Sequence, residues 1–147
     1  MIKTKTEYDN LKAQLANEEG RLAGQRRALA AAGLDEAQLD LAMMPLVTFS
    51  SQLRDEIEFY ERVVAGDFRG LSALRSMGRL LVALRLAAGV SQAELARRMG
   101  TSSSQVSRDE RDEYFGATLD KVERVLGALG FEGAVTVVPK GCEPVTA

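Results

Sequence analysis

Arginine is the side chain best placed to do chemistry in this 147-residue chain, and it is unevenly distributed. Residues 69–108 hold Arg69, Arg75, Arg79, Arg85, Arg97, Arg98 and Arg108 against Glu94 alone, a net +6. Residues 1–66 carry −3, Asp67 adds −1 and residues 109–147 carry −4, so the whole-chain charge of −2 conceals a basic centre. A guanidinium presents a planar fork of donors that matches phosphate and base edges. A basic segment inside an acidic chain therefore points either to a polyanion-binding surface or to a solvated arginine-rich face. Other chemistries are thinly supplied. There is no histidine, so the commonest general base and zinc ligand are missing, along with any Ser–His or Cys–His unit. The single Cys142 allows neither an intrachain disulfide nor a cysteine-rich metal site. No metal, no cofactor and no enzymatic activity are expected; the acids at 109–113 read as a solvated helix end. No stretch approaches the ~18 apolar residues of a membrane span. The opening residues Met1–Lys5 lack the apolar run of a signal peptide, so a cytoplasmic protein that avoids membranes is expected.

The elements that position these arginines are helices. Leu74, Met77, Leu80, Leu81, Leu84 and Ala88 keep helical spacing, and Gly89 follows as a stop. Ser91 and Glu94 form a capping box opening a two-turn helix that ends at Gly100. Ser102 and Gln105 form a second box, opening a helix that carries Val106 and Arg108. Thr118 caps another, with Leu119, Val122, Val125, Leu126 and Leu129 inward and Gly130 as its stop. Two short helices joined by a tight Gly-containing turn inside a bundle describe a helix-turn-helix.

Before this core, Thr6 is expected to cap a helix to about Ala32, with Tyr8, Leu15, Leu22 and Leu29 repeating every seven residues. A short turn over 35–39 and a new helix with Pro45 in its first turn should follow. Its seam runs Leu46, Phe49, Leu53, Ile57, Tyr60 and Val64. The two rods predict an antiparallel α-hairpin over 1–66. Leu15, Leu22, Leu53, Ile57 and Tyr60 then form a dimer or partner seam, or pack within the hairpin's own domain. After the core (67–130), Ala134–Val138 reads as a short β-strand in a C-terminal segment (131–147). Val135 and Val137 would pair with a two-fold mate, or lie on the helical core as an extended tail.

The run SQAELARRMGTSSSQVSRDE over 91–110, with its flanking helices, resembles the Xre family of helix-turn-helix regulators, relatives of the lambda-type repressors. Those repressors are standard examples of this docking geometry. The likeness spans residues 71–130. It implies a mainly α fold: a long helical hairpin, a lambda-repressor-like helix-turn-helix bundle and the short C-terminal strand. It also implies that helix 102–110 enters the major groove, where Ser103, Ser104, Gln105 and Arg108 read base edges. Arg108 is the candidate for a bidentate guanine contact. Ser91, Gln92, Arg75, Arg79, Ser107, Arg111 and Lys121 are candidate phosphate contacts. Arg85 and Glu110 match a family pair that ties the first helix to the end of the recognition helix. The chain departs from the family over residues 111–116, where Asp112 and Glu113 would repel phosphate; this loop is expected to tilt away or rest on the protein.

The function implied is a sequence-specific double-stranded DNA-binding repressor, a homodimer on a palindromic operator with recognition helices ~34 Å apart. The alternative is an antitoxin of the HigA type, whose hairpin binds a toxin protein while the same module represses its operon.

Overall fold

The computed structural model describes residues 1–71, 74–135 and 137. Helix α1 (Lys5–Ala31) begins at Thr4, whose hydroxyl accepts from the Glu7 N–H while the Glu7 carboxylate accepts from the Thr4 N–H. Thr4 is the cap and Thr6 is not, because a Glu three residues on lets the box close from both sides. Asp35 and Gln38 close an equivalent box at the start of α2 (Glu36–Val64). Helix α2 is continuous: the expected turn at 35–39 is its first turn, and Pro45 lies in its interior. Burial of Leu39 and Met43 before the proline, and of Ser50 and Ile57 after it, holds one face against α1 across the missing N–H.

The two helices form the antiparallel hairpin. Leu11, Leu15, Leu22 and Leu29 are half-buried along α1, Leu53 and Tyr60 likewise along α2, and Ile57 is buried. These seam residues are thus engaged within the hairpin. Tyr8 stacks on Tyr60 at 4.6 Å and donates to Glu61 at 2.6 Å. Arg54–Glu19 and Arg26–Asp40 are ion pairs along the rim. Phe49 and Val64, expected in the seam, remain 42% and 46% exposed.

A 3₁₀ turn (Leu74–Ser76) leads into α3 (Met77–Ala87), followed by α4 (Gln92–Met99), α5 (Ser103–Arg111) and α6 (Leu119–Leu129). Leu81, Val82, Leu95, Ala96, Val106, Tyr114, Val125 and Leu129 pack as one core among these four helices. Val63, with Phe59, packs on Leu71 and Ala83, so the last turn of α2 sits on α3. The loop after α5 rests on the protein: Tyr114 is buried in the core, and the Glu113 carbonyl lies against Gly78.

The C-terminal β-strand is a correction. Ala134, Val135 and Val137 lie in no strand, and no strand occurs among the described residues; Thr136 and Val138 fall outside them. A strand needs a partner's backbone donors and acceptors, and the regular elements around it are helices whose ladders are already closed. Val135 and Val137 are 62% and 87% exposed and form no seam with the core.

Candidate nucleic-acid interface

The geometry of α4 and α5 is fixed by their ends. Ser91 and Ser102 accept from the N–H groups of Glu94 and Gln105, each at 3.1 Å. Gly100 ends α4 at φ +66°, a left-handed conformation that costs a Cβ-bearing residue, and the Thr101 N–H then returns to the Ala96 carbonyl. Both caps close from one side only. The Glu94 carboxylate, expected to reach back, is taken by Arg97 and Arg98, which hold it down at about 2. The Gln105 side chain turns forward, donating to Asp109 and accepting from Arg108. Leu95, Ala96 and Val106, all buried, lock the pair of helices to the core.

The outward surface of α5 is polar. Gln92, Ser103, Ser104, Ser107, Arg108 and Arg111 line one open groove of about 400 Å³. Arg108 projects from it, steadied by Nη2 donating to Gln105 Oε1 at 2.9 Å. Arg111 is exposed and makes no ion pair among the described residues.

Beneath this groove lies a buried ion pair. Glu110 is 0% exposed and Arg85 3%. Arg85 donates through Nε and Nη2 to the carboxylate at 2.5 and 2.6 Å, through Nη1 to the Val90 carbonyl, and through Nη2 to the Lys3 carbonyl. Gln92 Nε2 donates to Glu110 at 2.8 Å. The pair therefore joins α3, the start of α4 and the end of α5, and it holds Gln92 at the edge of the groove.

Two expected phosphate contacts are engaged elsewhere, and a third lies apart from the α5 groove. Lys121 is 2.7 Å from Asp109 and lies near the Tyr114 ring. The Arg79 guanidinium sits over Phe59 of α2, 3.9 Å from Glu113. Arg75 is exposed on the 3₁₀ turn and lines a groove with Glu113, Phe115 and Leu119, on residues other than those of the α5 groove. Sequence reasoning missed the N-terminal residues: Ile2 is buried, and Met1–Thr4 border Gln92, Ser107 and Arg111. The only signal available was the Thr4–Glu7 box, which fixes where the chain turns into α1. Sequence reasoning also missed Asp109, which pairs inward with Gln105 and Lys121 instead of facing solvent.

Residues 76–137 match a helix-turn-helix domain family. The helix-turn-helix domain so defined contains α3 to α6, the groove and the buried pair, and it supports a DNA-binding regulator. No curated protein and no solved structure matches the chain. Among the described residues, no cluster of His, Cys, Asp and Glu is placed to hold a metal ion, and no helix is long and apolar enough to cross a membrane.

Proposed function

We propose that the chain is a cytoplasmic, sequence-specific repressor that binds double-stranded DNA as a homodimer on a palindromic operator. The observation that carries this reading is the polar groove on α5. It presents serine hydroxyls and two guanidiniums outward from a helix anchored on its other side by Val106 and Glu110. Such a helix suits the major groove. Ser103, Ser104 and Arg108 face base edges, with Gln105 acting chiefly to align Arg108. Gln92, Ser107 and Arg111 border the backbone.

Selection of bound sequences from a random DNA pool should return an inverted repeat; a pool without enrichment would overturn the proposal. On the selected operator, Arg108→Ala should lose about 1–3 kcal/mol of discrimination while changing affinity for random DNA little. Arg111→Ala should instead weaken both duplexes alike and reduce the slope of log affinity against log salt by about 0.9. Gel-shift titration at several salt concentrations checks both.

A further inference from the structure

We infer that two copies of this chain associate through the outer face of α2 over residues 40–54, antiparallel about Val47. The inference rests on the homodimer reading above and says where that dimer forms. Most of the seam read from sequence is occupied by α1, but the flank of α2 beside it carries uncovered apolar residues: Leu41 is 70% exposed, Met44 56% and Val47 52%. Residues 41–53 carry no charge on any side of the helix, as a segment packed on two sides requires. The hairpin itself is short of core. Helix α1 has no buried residue, and a second hairpin would complete a four-helix bundle.

The pattern of this face selects the occupant and its direction. Leu41 and Thr48 take heptad positions a, Met44 and Ser51 take d, and Asp40, Val47 and Arg54 take g. Thr48 donates its hydroxyl to the Met44 carbonyl at 2.8 Å, so it can enter a dry contact without an unmet donor. Antiparallel crossing at Val47 sets that residue against its own copy. It also sets Asp40 of each chain beside Arg54 of the other. Parallel pairing would instead set g against e, placing Asp40 beside Pro45 and Arg54 beside Phe59, and would bring no opposite charges together. Asp40 and Arg54 are 72% and 57% exposed, open to such a contact even while paired with Arg26 and Glu19.

The test is run on the full chain without DNA, so that it is separable from the DNA reading. Light scattering after size exclusion should give a dimer for the unaltered protein and a monomer for Val47→Glu, with unchanged helical circular dichroism. Two facing carboxylates should raise the dimer Kd by about 100-fold or more. Asp40→Lys should weaken the dimer and Arg54→Glu added to it should restore it. The two positions stand about 21 Å apart on one helix, so only pairing between copies allows that rescue. A Val47→Glu protein that stays dimeric, or a double variant without rescue, would overturn this face while leaving the homodimer standing. An unaltered protein that is monomeric, or that holds a different protein on this face, would overturn both. A dimer lost with Val47→Glu, in a chain that enriches no DNA sequence, would uphold the face and sink the repressor reading.

Discussion

Glu110→Ala should cost about 3–5 kcal/mol of folding free energy, a large part of the 5–15 kcal/mol that holds a domain of this size together. The carboxylate has no contact with solvent and accepts from Arg85 twice and from Gln92 once. Removing it leaves the Arg85 guanidinium buried, with only the Val90 and Lys3 carbonyls to face it. An uncompensated buried charge is what makes the change severe; the intact pair itself contributes little, since desolvation offsets most of its attraction. Two further variants separate these effects. Glu110→Gln keeps an acceptor of similar shape and should fall between the parent and Glu110→Ala. Arg85→Met with Glu110→Leu removes both charges and should recover most of the stability. It would also free Gln92 from the edge of the α5 groove, so DNA affinity should stay depressed in a stable protein. Urea unfolding followed by circular dichroism measures the first part, and gel-shift titration the second. A loss below 1 kcal/mol for Glu110→Ala would mean that water reaches the pair.

How far this site was legible in sequence depends on the range of the forces involved. The helix boundaries at Ser91, Gly100, Ser102, Thr118 and Gly130 were plain because each cap is settled within four residues of chain. The Arg85–Glu110 pair was reached only through the resemblance, since nothing local marks two residues twenty-five apart as partners. The fates of Arg79 and Lys121 were hidden for the same reason. Phe59 and Asp109 claim them through folding, and no spacing rule announces either contact. Half-closed caps show a milder failure: Glu94 had a legitimate role reaching back to Ser91, but two arginines one turn ahead outcompete a single N–H. In the hairpin, Pro45 suits the first turn of a helix, where its missing N–H goes unused, yet it lies inside α2, where it costs stability. Packing along Leu39, Met43, Ser50 and Ile57 overrides that cost. The expected strand failed in the opposite sense. Its β-branched residues favour extended backbone, but propensity supplies no neighbouring strand.

Gly78→Ala should be the other severe change, although a glycine-to-alanine exchange inside a helix ordinarily stabilises by about 0.5–1 kcal/mol. Position 78 lies in the first turn of α3, and a Cβ there would stand 1.6 Å from the Glu113 carbonyl oxygen and 2.5 Å from its carbon. The obstacle is backbone, so no side chain can swing aside. The loop has little freedom to retreat. Glu113 and Tyr114 are both held at positive φ, +50° and +53°. The Tyr114 N–H donates to the Asp109 carbonyl at 2.7 Å, and its ring is buried in the core. Moving the Glu113 carbonyl by the distance a methyl group needs would draw Tyr114 outward and disturb the end of α5. The loss should therefore reach the upper end of the overpacking range, about 3 kcal/mol. At about 2–4 °C per kcal/mol for a unit near 150 residues, the midpoint should fall by about 6–12 °C. Gly127→Ala is the matched comparison. It sits within α6 with nothing within 4 Å of an added Cβ, so it should raise the midpoint by a few degrees. Thermal unfolding of the two variants side by side decides the matter: equal, small shifts would mean that the 113–116 loop does not rest on α3 in solution.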